Sequence, residues 1–380
     1  MRYFLIAGEA SGDLHGSNLI KGIRSVDSNA QIRCWGGDLM QEAGGELVRH
    51  YKEGAIMGFV EVLANLGKLA KNLQDCKNNI LEYNPDVIVL IDYPGFNFRI
   101  AQFAKERGFR VFYYIAPKVW AWKEKRVHRL KKYVDKLFII FPFEIDYFKK
   151  WGIEAIYRGN PLLDSVDNCK RADETREEFG ARIGIDPKAT TVALLAGSRK
   201  GEIKYLLPRM IAVAKKNPSY QFLLACAPSM DMEVYEKIIG NKCSNIKLLV
   251  GETYPVLRHS NAAIINSGTA SLEAALIGVP QVVCYGGNEI SYQIARMVVK
   301  LKYISLANLI MDRGLFKELL QHSCTPELIG QELEQLLHNK QYREKMMDDY
   351  RQVREVLGGK GASAKVAQAM VDELEQMIKN

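Results

Sequence analysis

Short apolar runs alternate with longer stretches in which apolar residues recur every three or four positions along most of the chain. The short runs predict buried parallel strands, and the helical periodicity between them predicts crossover helices. The predicted strands form two series, residues 3–7, 31–35, 87–91, 111–115 and 136–141, then residues 192–196, 221–225, 246–250, 262–265 and 281–284. We therefore predict an α/β fold of two doubly wound, Rossmann-like domains that face each other across a cleft.

A Gly-Asn-Pro turn at residues 159–161 separates the two series and is predicted to be a hinge. The first domain is predicted to comprise residues 1–165 with 358–380, and the second residues 166–357. The last segment is assigned to the first domain because glycines at 358, 359 and 361 would let the final helix return there. Ligands of open α/β sheets bind beyond the carboxyl ends of the strands, so the residues that follow each strand are the candidates.

Composition narrows the class of protein. The chain has 380 residues, of which 48% are apolar and 25% are charged, as in a soluble globular protein of more than one domain. No apolar run approaches the ~20 residues that cross a bilayer, and the apolar N-terminal run is too short for a signal peptide. Seven cysteines without a CxxC pair and six dispersed histidines indicate a reduced cytosolic protein without a metal site. The net charge of +8 favours an anionic partner: nucleic acid, a nucleotide sugar or a phospholipid surface.

The most informative turn follows the predicted strand 262–265. Ser267, Gly268 and Thr269 precede a helix, whose N-terminal N–H groups and dipole favour an anion such as phosphate. The Thr269 or Ser271 hydroxyl can either cap this helix or donate to a phosphate oxygen. Glu273, about one turn into the helix, is placed to accept both ribose hydroxyls. A phosphate site beside a ribose site predicts a nucleotide, whereas an ordinary capped helix is the structural alternative.

A second turn of the same kind, Gly197-Ser198-Arg199, follows the strand 192–196. Arginine at a helix start is unfavourable for the dipole, so an anion is expected to offset it. Bidentate phosphate binding by Arg199 would do so, and a surface ion pair with Glu202 is the alternative. Neither turn matches the P-loop pattern and no GxGxxG is present, which argues against an ATPase or an NAD-dependent dehydrogenase.

Carboxylates follow two strands of the first series. Asp92 lies at the end of an apolar strand, where partial burial would raise its pKa and make it a better base. Hydrogen bonding within the Pro94-Gly95 turn is the structural alternative. Glu9 follows strand 3–7 and is the second candidate, whereas Ser11 and Asp13 are interpreted as helix caps. Asn97 is predicted to cap the next helix or to bind a sugar.

Two further segments favour an amphiphilic ligand. Residues 116–132 combine Trp120 and Trp122 with a dense cationic helix, which suits a lipid–water interface, a sugar ring or nucleic acid. The alternative is that the tryptophans pack beneath their own helix. Residues 55–70 are more apolar than one buried helix face requires, and Met57 and Phe59 at their start are predicted to meet acyl chains.

Together these segments resemble the lipid-A-disaccharide synthases, inverting glycosyltransferases of the GT-B fold, over nearly the whole chain. The most specific carriers are Gly-Glu-Ala-Ser-Gly-Asp at 8–13 and Ala-Pro-Lys-Val-Trp-Ala-Trp at 116–122, in order with Ser-Gly-Thr-Ala-Ser-Leu-Glu at 267–273. Further matches are Ile-Asp-Tyr-Pro-Gly-Phe-Asn at 91–97, Phe-Pro-Phe-Glu at 141–144, Gly-Asn-Pro at 159–161 and Gly-Ser-Arg at 197–199. Tyr93, Gly95 and Ala196 are minor departures that remove no candidate polar group.

The resemblance implies transfer of 2,3-diacylglucosamine from its UDP donor to 2,3-diacylglucosamine 1-phosphate (lipid X), which yields a β-1,6-linked tetra-acyl disaccharide 1-phosphate and UDP. Inversion requires a base on the acceptor 6-hydroxyl, for which Asp92 is the first candidate and Glu9 the second. The second domain would bind the UDP-sugar without a metal or cofactor, and the first would bind the acceptor and lipid. The UDP site would comprise Gly197, Ser198, Arg199, Ser267, Gly268, Thr269, Ser271, Glu273 and Asn308. The acceptor and lipid site would comprise Asn97, Trp120, Trp122, Arg126, Met57 and Phe59.

Acylated substrates predict a cytoplasmic enzyme that associates peripherally with an anionic membrane surface, the inner face of the inner membrane. The resemblance includes no nucleic-acid partner and leaves a homodimer open. A UDP-N-acetylglucosamine 2-epimerase shares the fold but needs polar groups around a small sugar instead of a basic, tryptophan-rich segment. A non-catalytic lipid- or nucleic-acid-binding protein would need neither two phosphate turns nor Asp92.

Overall fold

The computed structural model describes residues 1–54, 66–121, 124–228, 230–240, 243–287 and 302–379. Met57, Phe59 and Trp122 therefore lie outside the described residues. The chain divides into two compact units, Met1–Asp164 with Leu357–Asn380, and Ser165–Val356. Each unit contains one parallel sheet with helical crossovers, which confirms the predicted α/β class.

The sheet of the first unit has the order β3-β2-β1-β4-β5-β6-β7. Its central strand β4 is buried at every position, as expected for a parallel strand covered on both faces. The chain reverses its direction of travel across the sheet between β1 and β4, which is the topological switch point. The strands are β1 (Arg2–Ala7), β2 (Gln31–Gly36), β3 (Glu46–His50), β4 (Val87–Ile91), β5 (Val111–Tyr114), β6 (Lys136–Ile139) and β7 (Ala155–Tyr157).

Helices connect these strands and cover the sheet. They are α1 (Ala10–Val26), α2 (Asp38–Glu42), α3 (Tyr51–Gly54), α4 (Leu66–Tyr83), α5 (Pro94–Glu106), α6 (Val127–Tyr133) and α7 (Phe143–Lys150), with a 3₁₀ turn at Glu124–Arg126. The next helix, α8 (Pro161–Asp167), follows β7 and spans the boundary between the two units.

The sheet of the second unit has the order β10-β9-β8-β11-β12-β13, with its switch point between β8 and β11. Its strands are β8 (Thr191–Leu195), β9 (Gln221–Cys226), β10 (Ile246–Val250), β11 (Ala262–Asn266), β12 (Gln281–Tyr285) and β13 (Glu318–Leu320). Its helices are α9 (Arg176–Ile183), α10 (Lys200–Lys216), α11 (Met232–Ile239), α12 (Thr253–Arg258), α13 (Thr269–Ile277), α14 (Leu306–Met311), α15 (Pro326–His338) and α16 (Lys340–Val356), with a 3₁₀ turn at Gln321–Ser323.

Three strands that the hydrophobic pattern does not predict, β3, β7 and β13, all lie at sheet edges. Two of them, β7 and β13, have three residues each, and most residues of all three strands are only partly buried. An edge strand has one neighbour and a solvent side, so it does not need the continuous apolar run that identifies an interior strand.

The final helix, α17 (Ala362–Lys379), belongs to the first unit and packs against α1. The two helices approach so closely that a Cβ at Gly22 would lie 2.7 Å from the Cβ of Ala367. The Asp164 carboxylate accepts hydrogen bonds from the Gly361 and Ser363 amides and so holds the start of α17. None of the described helices is long and apolar enough to span a bilayer.

Candidate functional site

The candidate residues converge on the switch point of each sheet. In the first unit, Glu9 follows β1 and Asp92 follows β4, which are neighbouring strands. In the second unit, Gly197 follows β8 and Ser267 follows β11, which are also neighbours. The carboxyl ends of strands that flank a switch point form the usual ligand crevice of such sheets.

In the second unit a cavity of about 350 Å³, partly open to solvent, lies at this position. It brings together Gly197, Ser198, Arg199, Ser267, Gly268, Thr269 and Glu273, all of which were predicted to bind UDP. Its remaining walls come from the ends of β8, β9 and β11 and from the start of α12, through Leu195, Ala225, Ala227, Pro228, Thr253 and Asn266, together with Glu202 and Ala270.

The N-terminus of α13 is an open anion site on the wall of this cavity. No side chain caps the helix, so the Thr269 and Ala270 amides have no hydrogen-bond acceptor among the described residues. The space beside Gly268 is open, since a Cβ there would have no neighbour within 4 Å. Because glycine has no side chain, a ligand can approach these amides without obstruction. A phosphate would therefore meet free N–H donors and the positive end of the helix dipole.

Ser271 does not reach this cavity. Its side chain is fully buried, and its hydroxyl donates a 2.8 Å hydrogen bond to the Gly268 carbonyl. The expectation that Ser271 contacts UDP is therefore corrected: its hydroxyl holds the turn, which is the capping alternative.

The turn before α10 differs because it already contains an anion, Glu202. The Glu202 Oε2 atom accepts hydrogen bonds from the Ser198 amide at 3.1 Å and the Arg199 amide at 3.3 Å. Gly197 has φ of +110°, and a Cβ there would lie 2.5 Å from the same oxygen, so this close approach requires glycine. These amides are occupied, which leaves the hydroxyl of Ser198 and the side chain of Arg199 for a ligand.

Arg199 is available to a ligand. Its side chain is 84% exposed and forms one loose ion pair, 3.6 Å long, with Glu202. An exposed pair of this length contributes little to stability, so the guanidinium can exchange it for a phosphate at small cost.

One carboxyl oxygen of Glu273 is held by a hydrogen bond within the protein. The Tyr254 hydroxyl donates a 3.0 Å hydrogen bond to Glu273 Oε1, and burial raises the pKa of this carboxyl. A carboxylate held in this way on the cavity wall is a fixed acceptor for ribose hydroxyls. Tyr254 was not predicted, because nothing in its sequence context indicates a contact with a residue nineteen positions later.

Asn308 is not positioned to bind a nucleotide. Its side chain is fully buried, its amide donates to Phe316 O and Glu318 Oε1, and its oxygen accepts from the Leu315 amide. All its hydrogen-bonding groups serve the loop between α14 and β13. The expectation that Asn308 contacts UDP is therefore corrected to a structural role.

In the first unit, Asp92 lies in strained backbone. Asp92 and Tyr93 have φ of +43° and +48°, although neither is glycine. Residues in this region cost of order 1–3 kcal/mol each and persist only where the surroundings fix them. Here the Asp92 carbonyl accepts hydrogen bonds from the Tyr113 hydroxyl at 2.6 Å and the Asn97 amide at 2.8 Å. The chain thus keeps an unfavourable conformation at one carboxylate.

The pKa of the Asp92 carboxyl is shifted toward neutral pH. Its pKa is raised from 3.8 to about 6, mainly by burial and in addition by the charge of Glu9, whereas Lys118 and the Tyr93 amide oppose the rise. Glu9 is exposed, precedes α1 and accepts a hydrogen bond from the Ser11 hydroxyl. The structure therefore brings the two candidate bases close enough to interact, with Asp92 the more buried of the two.

Ser11 and Asp13 do not cap the helix after β1 as predicted, because both lie within α1 and its N-cap residue is Glu9. Asp13 is nevertheless a structural carboxylate. It is buried and accepts hydrogen bonds from the Gly37, Leu39 and Met40 amides, and so caps α2.

Asn97 supports Asp92 and does not face a ligand. Its side chain is fully buried, and its amide donates to the backbone carbonyls of Ile91 and Asp92. The expectation of a direct sugar contact is therefore corrected: Asn97 holds the strained turn that carries Asp92.

Trp120 is tied to an acid that was not predicted as a site residue. Its indole N–H donates a 2.9 Å hydrogen bond to Glu144 Oε1, and its ring packs edge-on against Phe143. Burial raises the pKa of Glu144 to about 7. Glu144 lies in the Phe-Pro-Phe-Glu segment that the sequence analysis identified, but the sequence does not indicate that Glu144 binds Trp120. Trp120 is half-buried, so part of its ring remains exposed to solvent.

Comparison with solved structures of known proteins identifies the fold. Solved structures of two UDP-N-acetylglucosamine 2-epimerases have the same fold. That of Neisseria meningitidis, bound to UDP-GlcNAc, has a TM-score of 0.70 at 13% identity and covers 100% of both chains. That of Methanocaldococcus jannaschii, in complex with UDP-GlcNAc and UDP, has a TM-score of 0.68 at 14% identity, over 98% of this chain and 99% of the other. A glycosyltransferase of kitacinnamycin aligns with a TM-score of 0.59 at 14% identity, over 98% of each chain. At these identities the likeness shows the fold alone, and the predicted GT-B class is confirmed.

Sequence relatives are more specific. A lipid-A-disaccharide synthase of Geobacter metallireducens is 36% identical over 380 residues, which cover 98% of this chain and 97% of that protein. The synthase of Nitrosococcus oceani is 35% identical over 376 residues, which cover 98% and 96%. The family model for lipid-A-disaccharide synthetase matches residues 3–371. The chain belongs to the lipid-A-disaccharide synthetase family, glycosyltransferases of lipid A biosynthesis.

Proposed function

We propose that Asp92 is the general base of an inverting transfer between two acylated glucosamines. In this reaction the acceptor 6-hydroxyl oxygen attacks the anomeric carbon of UDP-2,3-diacylglucosamine, and the bond from that carbon to the diphosphate breaks. The hydroxyl proton passes to Asp92, and UDP leaves with the bonding electron pair. The product is the β-1,6-linked tetra-acyl disaccharide 1-phosphate.

One observation carries this assignment: a carboxyl with a pKa of about 6 lies on strained backbone at the switch point of the first sheet. A base with a pKa near the working pH is mostly ionised there and still holds a proton well enough to assist attack. Glu9 raises the pKa of Asp92 through its charge and is the second candidate for the proton.

The cavity of the second unit would hold the UDP part of the donor. The free amides of α13 and the Arg199 guanidinium supply donors and positive charge for the diphosphate, and Glu273 supplies acceptors for the ribose. These groups also stabilise the charge that develops on the departing diphosphate. No step in this scheme requires a metal ion.

UDP release separates transfer from the other activities. We would measure UDP release from UDP-2,3-diacylglucosamine with and without 2,3-diacylglucosamine 1-phosphate. Release that requires the acceptor is expected. Conversion of the donor without acceptor would indicate an epimerase or a hydrolase, and an absence of turnover would indicate a binding protein.

We further infer that the enzyme binds anionic membranes peripherally. Residues 118–132 contain seven lysines and arginines and one acidic residue, and each cation gains roughly 1 kcal/mol beside anionic lipid. Co-sedimentation with phosphatidylglycerol vesicles should fall between low and high salt, and an unchanged bound fraction would contradict the inference. A homodimer remains a prediction, for which sedimentation velocity is the test.

A further inference from the structure

Two arginine side chains of the first unit lie over one aromatic ring. The Cζ atoms of Arg126 and Arg129 are 5.9 Å and 5.0 Å from the centre of the Phe98 ring, and Arg129 also donates to the Phe98 carbonyl. Phe98 is almost completely buried, so the ring is a fixed platform. Arg99, the next residue, is exposed in the second turn of α5, where its guanidinium donates to the Gly95 carbonyl. We call Arg99, Arg126 and Arg129 the arginine cluster.

This cluster concentrates positive charge. Within the described part of the chain, no ion pair joins Arg99 or Arg129 to a carboxylate. The pKa of Arg126 is lowered first by burial and then by the charges of Arg129 and Arg99. Cations that lower one another's pKa gain the most when an anion binds among them.

Two aromatic side chains, Phe98 beneath the arginines and Tyr113 next to it, connect the cluster with Asp92. The rings of Phe98 and Tyr113 are 6.0 Å apart, and the Tyr113 hydroxyl donates to the Asp92 carbonyl. Burial and the charge of Asp92 raise the pKa of Tyr113, whereas the charge of Arg126 lowers it. One buried phenol therefore lies within electrostatic reach of both the candidate base and the cluster.

We propose that the arginine cluster is the subsite for the phosphate of the acceptor, and that it selects phosphorylated over unphosphorylated acceptors. The inference rests on the proposed function, which requires an acceptor hydroxyl at Asp92. Guanidinium groups bind phosphate oxygens bidentately, and a phosphomonoester carries about −1.5 to −2 charges at neutral pH. An acceptor with its hydroxyl at Asp92 would extend its phosphate toward the cluster, which aligns the hydroxyl for attack.

Kinetics with two acceptors test the proposal. Initial rates would be measured with 2,3-diacylglucosamine 1-phosphate and with 2,3-diacylglucosamine, for the wild type and for Arg99→Gln and Arg129→Lys. Arg99→Gln removes an exposed charge, and Arg129→Lys keeps the charge but loses the planar fork. We expect each variant to raise the KM for the phosphorylated acceptor ~10-fold or more, with the donor KM unchanged and the preference for the phosphorylated acceptor reduced.

Arg107→Gln is the matched control. Arg107 follows the end of α5, is exposed, and lies 5.7 Å from the centre of the Phe103 ring, so it repeats the arginine–aromatic contact away from the cluster. Its kinetics should equal those of the wild type. Thermal melts of all variants would show whether any loss reflects unfolding.

The outcomes are distinct. Equal wild-type use of both acceptors, or folded variants that keep the full preference, would overturn the subsite. Vesicle binding of the same variants separates acceptor phosphate from phospholipid headgroups: variants that bind phosphatidylglycerol vesicles less well but retain acceptor preference would assign the cluster to lipid and reject the proposal. If the wild type transferred to neither acceptor, the proposed function would fail and the subsite with it.

Discussion

The two sheets of this protein differ at their switch points in backbone conformation and in the groups that they present to a ligand. In the first unit a non-glycine pair, Asp92 and Tyr93, has positive φ, and buried partners hold the carbonyl of Asp92. In the second unit β11 leads through Gly268 into α13, whose N-terminus no side chain of the described residues caps, and an exposed arginine lies on the wall of the same cavity. Strain and a raised pKa are typical of a reacting group, whereas free amides and an exposed cation are typical of an anion site. The comparison supports the proposal that the first unit carries the chemistry and the second unit binds UDP.

Asp92→Asn is the strongest test of this division. The amide cannot accept the proton, so kcat should fall ~10²–10⁴-fold. UDP affinity, measured by calorimetry, should remain within about two-fold of wild type if the UDP site involves the second unit alone. Glu9→Gln, the comparison variant, should lose less activity. An Asp92→Asn enzyme with near-normal turnover would remove Asp92 as the base and with it the assignment of chemistry to this turn.

Arg199→Gln should affect binding most. Loss of a charge-assisted phosphate contact is expected to weaken UDP binding by roughly 10–100-fold. The matched control is Lys200→Gln, which removes an exposed positive charge at the next position. If both variants bound UDP equally well, the turn before α10, with its amides already occupied by Glu202, would not belong to the diphosphate site.

Glu273→Gln should change the recognition of ribose more than that of phosphate. The wild type is expected to prefer UDP to 2′-deoxy-UDP by about 10-fold, because the anchored carboxylate accepts the 2′-hydroxyl. The variant should bind both ligands with similar affinity, as competition binding would show. A wild-type enzyme that does not distinguish the two ligands would place the ribose elsewhere.

The smallest expected effect is a shift in the pH dependence of kcat/KM. Since the ionised form of Asp92 is the base, kcat/KM should rise with pH through about 6 and then level off. The Glu9 charge raises the pKa of Asp92, so Glu9→Gln should move the rise to lower pH, by a few tenths of a unit at the exposure of Glu9. A shift to higher pH, or none, would show that the two carboxyls do not interact as the structure indicates.

The hydrophobic pattern predicted every interior strand, because a parallel strand covered on both faces must be apolar along its length. It missed β3, β7 and β13, whose partly exposed residues form no such run. The turns after β4, β8 and β11 were likewise predictable, because their residues are contiguous with the strands that place them.

Long-range contacts were not predictable in this way. Asn97 and Ser271 were placed in binding sites as polar side chains that follow a strand end, and Asn308 was placed there by the family resemblance. Each is buried and hydrogen-bonded to backbone. The same polarity serves a ligand or an internal carbonyl, and only burial distinguishes the two uses. Tyr254 and Tyr113 support Glu273 and Asp92 from distant positions, and no local signal marks them.

The sequence by itself determined two Rossmann-like sheets, the strand ends that carry Asp92 and Ser267, and the family to which the chain belongs. These features depend on local periodicity and contiguous motifs. Only the tertiary structure decided that the amides before α10 are occupied by Glu202, while those of α13 have no acceptor within the described ranges, and that burial raises the pKa of Asp92. Burial, electrostatic neighbours and hydrogen-bond partners are properties of residues brought together by folding, and the order of residues along the chain does not specify them directly.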